Sequence, residues 1–337
     1  MKIQIEGANE HNLKNVDVEI GEGLTVVTGV SGSGKSTLLI DTLGRALAPR
    51  KHTTSVASEP IDPGEHDAIK GAPGRAILVD QTKAGVRSPA HFLGLTRLLH
   101  QLYAESEDAR ALGLDAKALG QRCSACGGSG QTTLDMGFLP DVHVVCETCQ
   151  GTGYRPEAWE VRLRGVPLPL CFTKTLDEVR ALFGDMPGVT SGDASATLNA
   201  KLEMAQAVGL GYLVLHQPGY ALSGGEAQRL KIADELYRTG RTKTLYILDE
   251  PTVGQHLEDV HRLVGALDRL VDQGHTVYVI EHHTHLLAAC DWLVELGPGG
   301  GPDGGRIIAE GSPETVAAGD TPTARYLRPL MDAEVAR

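Results

Sequence analysis

The sequence has few aromatic residues and no long apolar run. Phe, Trp and Tyr make up only 4% of the 337 residues, so a surface that stacks nucleobases has few side chains to use. No stretch approaches the roughly 18 consecutive apolar residues of a membrane-spanning helix, and the amino terminus lacks the apolar core of a signal peptide. We therefore expect a cytoplasmic protein with no membrane partner, whose hydrophobic residues, 41% of the chain, bury a sizeable core.

Positive charge is also scarce. The 31 Lys and Arg residues are outnumbered by 43 Asp and Glu residues, which gives a net charge of −12. The molecule as a whole therefore repels nucleic acid, and any nucleic-acid site must be a local basic patch. The chain has six cysteines, and in a reducing compartment these favour metal binding or buried thiols over disulfides.

A glycine-rich loop follows an apolar strand predicted at Leu24–Thr28. The loop reads Gly-Val-Ser-Gly-Ser-Gly-Lys-Ser and precedes a helix predicted at residues 36–48. In such a loop, backbone N–H groups converge on phosphate oxygens, the lysine adds a charge at the β- and γ-phosphates, and the last serine can bind Mg²⁺. The predicted nucleotide-binding residues are Gly29, Ser31, Gly32, Ser33, Gly34, Lys35, Ser36 and Thr37.

Polar residues end three further apolar strands. Asp249 and Glu250 follow one of them, where the first carboxylate can hold Mg²⁺ together with Ser36 and the second can orient or deprotonate an attacking water. Gln81 and His282 end the other two, and each can approach the γ-phosphate. The sequence therefore predicts Glu250, His282 and Gln81 as catalytic residues and Ser36 and Asp249 as magnesium ligands.

A Leu-Ser-Gly-Gly-Glu-Ala-Gln-Arg segment stands between the phosphate loop and the acidic pair. The three motifs in this order resemble those of ATP-binding-cassette (ABC) ATPases, in which the Ser-Gly-Gly segment completes an ATP site on another domain. The resemblance implies that Ser223, Gly224 and Gly225 contact an ATP held by Lys35 of a second cassette. We therefore expect ATP and Mg²⁺ as cofactors and a head-to-tail dimer, either with a second copy or with a separately encoded cassette.

Four cysteines form two closely spaced pairs, Cys123-x-x-Cys126 and Cys146-x-x-Cys149, with 19 residues between the pairs. A glycine-rich turn follows each pair. Two such turns can bring four thiolates into a tetrahedron, which suits a structural Zn²⁺ without an open coordination position. Redox-active cysteine pairs are the alternative for this spacing.

These motifs predict an α/β fold, an ABC-type P-loop ATPase core with an inserted helical signature subdomain that carries a four-cysteine zinc module. The ATP-binding core is predicted at residues 1–86 and 239–337, and the inserted subdomain at 87–238 with its zinc module at 120–155. Within these segments, residues 49–74 are predicted as loop and Trp159–Leu163 as a strand.

The whole chain resembles the carboxy-terminal half of UvrA, the damage-recognition ATPase of bacterial nucleotide excision repair. The resemblance implies a half-size UvrA-like ATP hydrolase without nuclease activity that binds duplex DNA and recognises damage, with ATP hydrolysis gating DNA engagement through the dimer. It rests on the cysteine spacing and on the following segments: Gly7–Lys14, Thr28–Thr37, Val79–Gln81, Gly137–Val142, Leu222–Arg229, Leu248–Thr252, Val279–His282 and Leu296–Pro298.

The chain also departs from the UvrA pattern. That family carries two cassettes and this sequence one, and the first half, which is not present, holds the family's UvrB-docking region, so the resemblance gives no basis for a UvrB-like partner. Residues 253–256 read Val-Gly-Gln-His where the family usually has Thr-Gly-Leu-His. Two alternatives stay open: an ATPase for antibiotic self-resistance, and a zinc-containing protein-interaction ATPase without DNA binding. A membrane-transporter subunit is the least expected, because a transporter cassette has no need of the zinc-bearing insertion.

Overall fold

The computed structural model describes residues 2–47, 62–81, 83, 85–134, 142–184, 186, 194–238 and 242–335. The chain forms two compact units. The first comprises Met1–Gly85, Ala207–Gly209 and Ser223–Arg337, and the second comprises Val86–Gln206 and Leu210–Leu222. The helix that follows Ser223 therefore belongs to the first unit in this division. The three-segment domain boundaries taken from the sequence stay a prediction.

Thirteen strands lie in the described part of the chain. In chain order they are β1 Ile3–Ala8, β2 Val16–Ile20, β3 Leu24–Gly29, β4 Ala68–Lys70, β5 Ala76–Val79, β6 Gln131–Leu134, β7 Val142–Val145, β8 Arg162–Leu163, β9 Val166–Pro167, β10 Leu245–Asp249, β11 Thr276–Ile280, β12 Trp292–Gly297 and β13 Arg306–Gly311.

The helices alternate with these strands in the first unit and dominate the second. The α-helices span Arg45–Leu47, Pro89–Phe92, Leu95–Ala104, Glu107–Leu112, Ala116–Leu119, Leu168–Cys171, Leu176–Phe183, Ala194–Ala207, Gly224–Arg238, Leu257–Asp272, Thr284–Ala289, Pro313–Ala317 and Pro322–Val335. A π-helix spans Thr37–Gly44, and single 3-10 turns span Pro156–Trp159, Gly219–Ala221 and Gly301–Asp303.

A six-stranded sheet of order β13-β12-β3-β11-β10-β5 forms the centre of the first unit. All its neighbouring strands are parallel except β12 and β13. The inner strands are continuous apolar runs, such as Leu-Tyr-Ile-Leu before Asp249, because helices cover both faces of a parallel sheet and leave no solvent face. The architecture is the mixed α/β fold predicted from the sequence.

A second, three-stranded antiparallel sheet of order β2-β1-β4 joins the first unit. Strand β2 alternates buried and exposed residues, as an antiparallel strand with one solvent face does. Residues 68–70 belong to this sheet, so the prediction of loop throughout 49–74 is wrong there. The three residues carry no periodic signal of their own, and their pairing with β1 depends on a partner strand distant in sequence. Residues 49–61 of that predicted loop lie outside the described part.

The helix predicted at 36–48 is present from Thr37 to Leu47, and residue 48 lies outside the described part. Its first turns are wider than those of an α-helix. Its first part, Thr37–Gly44, is a π-helix in which the N–H of Arg45 reaches the carbonyl of Ile40. The Thr42 hydroxyl donates to the Thr37 carbonyl at 2.9 Å. Side chains that bond into the backbone ladder favour such local widening, which is frequent at functional sites.

The second unit is organised around a cluster of aromatic and histidine rings. His216 stacks on Phe172 with ring centroids 4.3 Å apart, and Tyr154 stacks on Phe172 at 5.4 Å. The hydroxyl of Tyr154 lies 3.1 Å from Nε2 of His100. Since Tyr154 comes five residues after Cys149, this cluster anchors the end of the cysteine segment in the unit's core.

The strand predicted at Trp159–Leu163 is wrong at its start. Trp159 ends the 3-10 turn Pro156–Trp159, and only Arg162 and Leu163 are extended. Pro156 favours the first position of a helical turn because its fixed φ suits that position. The Arg162 N–H donates to the Asp108 carboxylate at 3.0 Å, a tertiary contact that the local sequence does not signal.

Across the described residues, none of the helices combines the length and the apolar character needed to cross a membrane.

Candidate active site

The carboxyl ends of four parallel strands meet at one edge of the central sheet. Strands β3, β11, β10 and β5 are neighbours in that order, and their register pairs Asp249 with Ile280 and Leu248 with Val79. The residues that follow these strand ends therefore share one edge. The structure brings together there the phosphate loop, Gln81, the Asp249-Glu250 pair and His282, which the sequence predicted separately.

Lys35 lies across the phosphate loop with its side chain buried. Its ammonium donates to the carbonyls of Gly29 and Val30, each at 2.9 Å. Burial lowers the pKa of Lys35, and the nearby carboxylates of Glu250 and Asp249 oppose this shift. The Lys35 ammonium is therefore held close to two carboxylates in a site of low dielectric, where electrostatic interactions between charged groups are strong.

The two serines at the end of the loop differ in their surroundings. The Ser33 hydroxyl is buried and has no hydrogen-bond partner, while Ser36 is exposed and makes no side-chain cap bond to the helix that follows. Buried hydroxyls ordinarily find a partner. Two hydroxyls with spare hydrogen-bonding capacity next to a lysine fit a ligand that carries several oxygen atoms, such as a polyphosphate with its metal ion.

Asp249 lies in a concentrated negative field. Burial raises the pKa of Asp249, and the charges of Glu250, Asp80 and Glu281 raise it further, while Lys35 lowers it. Carboxylates crowded in this way are stabilised by a cation, and Mg²⁺ prefers oxygen ligands. The donor set of Asp249 and the Ser36 hydroxyl therefore fits Mg²⁺.

Glu250 stands between the other predicted catalytic residues. Its carboxylate Oε1 lies 3.8 Å from Nε2 of His282, and its backbone carbonyl accepts a hydrogen bond from Nε2 of Gln81 at 3.3 Å. The Glu250 backbone has a φ of +46°, in the left-handed region that is costly for a residue with a side chain. Its N–H donates to the Ile280 carbonyl at 3.0 Å, which ties this conformation to β11.

The Ser-Gly-Gly segment begins the helix Gly224–Arg238 with a capping box. The Ser223 N–H donates to the Glu226 carboxylate at 2.7 Å, and the Glu226 N–H donates to the Ser223 hydroxyl at 3.1 Å. A Cβ on Gly224 would lie 3.2 Å from the Gln81 side chain, which is tighter than an ordinary contact. The segment therefore presents a fixed, positively polarised helix end beside Gln81 of its own chain.

The four cysteines of the second unit lie together. All their sulfur atoms are within 4.8 Å of one another, with Cys123 and Cys146 at 4.0 Å and Cys126 and Cys149 at 3.7 Å. A tetrahedral ion with metal–sulfur bonds of about 2.3 Å requires sulfur–sulfur distances of about 3.8 Å. The spacing therefore fits Zn²⁺.

Backbone N–H groups also point at these sulfur atoms. The Gly153 N–H donates to Sγ of Cys149 at 3.3 Å. Desolvation raises the pKa of Cys126, but hydrogen bonds from the backbone of Gly130 and Gly128 and from the side chains of Cys149 and Cys123 together outweigh it and bring the pKa down to about 6. The thiolate is the form that binds metal, so the glycine-rich turns favour ligation. Residues 135–141, which include most of the Gly137–Val142 segment, lie outside the described part.

Sequence and structure comparisons agree on the relatives of this chain. It is 41% identical over 348 residues to UvrABC system protein A of Lactiplantibacillus plantarum, an alignment that covers 100% of this chain and 35% of that protein. It is 42% identical over 334 residues to UvrABC system protein A of Thermus thermophilus, covering 96% of this chain and 34% of that protein. The crystal structure of UvrA2 from Deinococcus radiodurans matches it with a TM-score of 0.77 and 38% identity, over 97% of this chain and 39% of that one.

The chain belongs to the UvrA family of ABC ATPases. No protein-family model matches it. The UvrA-like chain spans about a third of the length of its curated relatives, 35% and 34% in the two cases above.

Hydrogen bonds from other segments hold the phosphate loop of the UvrA-like cassette and form a brace around it. The residues that make these bonds were not among the predicted site residues. Nδ2 of Asn12 donates to the carbonyls of Gly32 and Gly301, at 2.8 and 3.0 Å. The N–H of Gly301 donates to the same Gly32 carbonyl at 2.9 Å, and the N–H of Gly305 donates to the Ser33 carbonyl at 2.9 Å.

Glycine is required in this brace because the backbones approach closely. Gly305 has a φ of +79°, and a Cβ there would lie 1.8 Å from the Asn12 carbonyl oxygen. Residues 297–305 read Gly-Pro-Gly-Gly-Gly-Pro-Asp-Gly-Gly, a composition typical of a turn. The density of glycine was the available signal, but the partner of the turn is almost 300 residues away in the chain.

A buried glutamate organises the turn that carries His282. Glu281 is 1% exposed and accepts hydrogen bonds from the N–H groups of Thr252, His282 and His283, at 2.7, 2.8 and 3.1 Å. It also accepts from the Thr252 hydroxyl. One carboxylate thus joins the loop after Glu250 to the loop after β11, a role that the sequence did not reveal.

Gln228, inside the Leu-Ser-Gly-Gly-Glu-Ala-Gln-Arg segment, has a structural role. Its Nε2 donates to the carbonyls of Val79 and Asp249, at 3.1 and 2.7 Å, and the residue is fully buried. One turn later, Lys231 forms an ion pair with Asp80 at 2.7 Å. The helix Gly224–Arg238 is therefore bonded to the ends of β5 and β10, next to Gln81 and the acidic pair.

Proposed function

We propose that this UvrA-like cassette hydrolyses ATP and that hydrolysis gates the engagement of duplex DNA during damage recognition in nucleotide excision repair. The observation that carries the proposal is the meeting of Lys35, Asp249, Glu250, Gln81 and His282 at one sheet edge. The likeness to UvrABC system protein A supports the repair context.

Each residue at this edge of the central sheet has a proposed role in ATP binding or hydrolysis that is consistent with its environment. Lys35 and the loop N–H groups bind the phosphates, while Ser36 and Asp249 hold Mg²⁺. When bound, Mg²⁺ neutralises charge on the phosphate oxygens. Glu250 accepts a proton from the attacking water or orients it. His282 lies beside that carboxylate and Gln81 holds the Glu250 backbone carbonyl, and both side chains reach toward the γ-phosphate.

The role of Glu250 is tested by Glu250→Gln. This variant should bind ATP with unchanged affinity and hydrolyse it at least about 100-fold more slowly, since a general base contributes that much or more. The matched control is Glu310→Gln, which removes a charge from an exposed position on β13 and should leave turnover unchanged. Equal turnover in the Glu250→Gln and Glu310→Gln variants would remove Glu250 from the mechanism.

We propose further that a second cassette completes the ATP site. Ser223, Gly224 and Gly225 form a helix start whose positive end suits a γ-phosphate. The test mixes two inactive variants, Lys35→Ala and Ser223→Arg. In a head-to-tail dimer one site of each mixed dimer keeps both native residues, so mixing restores hydrolysis, up to about half the native rate per mixed dimer. Absence of restoration would mean that each chain completes its own site.

Duplex-DNA binding is tested by fluorescence anisotropy with ATP and Mg²⁺, comparing intact and lesion-bearing duplexes. Because the net charge is −12, binding should depend on a local patch and fall steeply with salt as counterions are released. Tighter binding to the lesion-bearing duplex is the expected result. ATP hydrolysis with no binding to either duplex would instead favour the protein-interaction or antibiotic-resistance alternative.

We propose that the cysteine cluster holds a structural Zn²⁺ with Cys123, Cys126, Cys146 and Cys149 as its four ligands. Support comes from the sulfur spacing and from the N–H groups directed at sulfur. A site closed by four thiolates leaves no position for a substrate. The ion would stabilise the fold of the second unit and take no part in hydrolysis.

A further inference from the structure

Three histidines gather beside the turn that carries His282. His261 is on the helix Leu257–Asp272, one turn from its start. His283 precedes the short helix Thr284–Ala289, and His285 lies within that helix. The two helices contact each other, which brings side chains from two separate segments into one cluster.

The ring positions define this cluster. The centroid of His285 lies 5.5 Å from that of His261 and 5.5 Å from that of His283. The ring of His285 is therefore a neighbour of both other rings.

Two ring nitrogens in the cluster are left without partners. Nδ1 of His283 and Nδ1 of His285 are both buried and make no hydrogen bond. Buried polar atoms are nearly always satisfied, and an unsatisfied one in a folded protein calls for an explanation. A metal ion bound by both histidines would satisfy both nitrogens.

We propose that His261, His283 and His285 bind a divalent transition-metal ion, with zinc as the representative of this class. Imidazole nitrogen is a preferred ligand of Zn²⁺, Ni²⁺ and Cu²⁺. With zinc–nitrogen bonds of about 2.0–2.1 Å and tetrahedral angles, the ring centroids of two ligands lie about 5 Å apart. The observed 5.5 Å separations are close to this value.

The arrangement needs only side-chain adjustment to bind. Among the residues that the structure describes, the four cysteines are the one group whose ligand atoms already lie within 4.8 Å of one another. The histidine rings must therefore turn about their side-chain torsions to converge. The backbone is already fixed on one side, because the N–H of His283 donates to buried Glu281 at 3.1 Å.

Three protein ligands leave the fourth tetrahedral position open to water, so this site exchanges its ion, unlike the closed cysteine site. The bound ion would join the helix Leu257–Asp272 to the turn that holds His282. His282 itself faces Glu250, with 3.8 Å between their nearest atoms, and is not one of the proposed ligands. The proposal is independent of ATP hydrolysis, since binding is measured without nucleotide.

The experiment counts zinc per chain by elemental analysis after equilibrium dialysis of the 337-residue chain against buffered micromolar Zn²⁺, with excess Mg²⁺ to occupy oxygen sites. The native chain should hold two zinc ions. His285→Ala and His261→Ala should each hold one, and an isotherm should show at least a tenfold loss of affinity for the second ion. The matched control is His91→Ala, which removes an exposed histidine of the second unit and should leave two.

Cys146→Ser separates the two sites. It should lose the cysteine-bound ion and keep the histidine-bound one, because the histidines lie in the other compact unit. A native chain that binds no more zinc than His285→Ala would overturn the proposal. So would a second ion that survives both histidine substitutions, since it would then be bound elsewhere.

Discussion

Replacement of Glu281 by glutamine should loosen the active site without touching a reacting group. Glu281 accepts four hydrogen bonds while 1% exposed, three from N–H groups of Thr252, His282 and His283 and one from the Thr252 hydroxyl. Glutamine has the same shape but only one acceptor oxygen. Whichever way the amide turns, at least one backbone N–H then faces an NH₂ group.

The magnitude follows from these contacts. A buried donor left unsatisfied costs about 1–3 kcal/mol, and the remaining bonds lose their charge assistance, so we expect a loss of about 3 kcal/mol in the free energy of unfolding. For a unit of this size that corresponds to a fall of about 6–12 °C in Tm. The turn that positions His282 would also shift, and a displacement of about 1 Å at a catalytic group can lower kcat by about 100-fold.

The assays are differential scanning calorimetry and steady-state ATP hydrolysis with kcat and KM measured separately. Thr252→Val removes only the hydroxyl bond and should cost about 1 kcal/mol. Glu310→Gln makes the same chemical change at an exposed site and should alter neither Tm nor kcat. If Glu281→Gln melts within about 1 °C of the native protein and keeps its kcat, the carboxylate does not organise these loops and the reasoning is refuted.

Three further predictions concern other parts of the molecule. Asn12→Ala removes two hydrogen bonds of 2.8 and 3.0 Å from the phosphate-loop brace and should weaken ATP binding about tenfold by calorimetric titration; unchanged affinity would show that the loop holds its shape alone. Cys146→Ser should release one zinc ion and increase amide exchange in the described residues around the cysteines while ATP affinity stays the same, and full retention of metal would refute the cysteine site. Burial, the main cause, and the nearby His216 lower the pKa of His100 to about 4, so the unfolded state binds more protons between about pH 6.5 and 4, and the second unit should lose about 3 kcal/mol as pH falls through that window. His100→Asn should flatten this loss in acid-unfolding curves, and an equally steep curve would show that His100 is not responsible.

Local sequence predicts those site residues whose functional groups lie close together in a short segment of the chain. The phosphate loop and the cysteine pairs each place several functional groups within a few residues, so their spacing alone predicts what they bind. The acidic pair is recognised because apolar residues precede it and mark the end of a buried strand. The fold class was predictable for the same reason, since continuous apolar runs separated by helical stretches are typical of a parallel sheet.

Other features depend on partners far apart in the chain. In the sequence, nothing distinguishes Asn12 from other polar residues. Its role is visible only in the fold, where its amide donates to the carbonyls of both Gly32 and Gly301. Strand β4 exists through its pairing with β1, and the extended segment expected from Trp159 begins only at Arg162 because a helical turn precedes it. Local propensity carries no information about such contacts, whose energies come from atoms that only the fold brings together.

The sequence by itself determined the family and the α/β class, and it predicted the nucleotide-binding residues and the cysteine ligand set, because each depends on covalently fixed spacing. The tertiary structure decided which groups share an environment. It placed four strand ends at one edge, buried Glu281 where it accepts four hydrogen bonds, and assembled His261, His283 and His285 from two segments. Hydrogen bonding, desolvation and metal coordination act over a few ångströms in space. The number of residues between two groups along the chain does not determine how close they are in the folded structure.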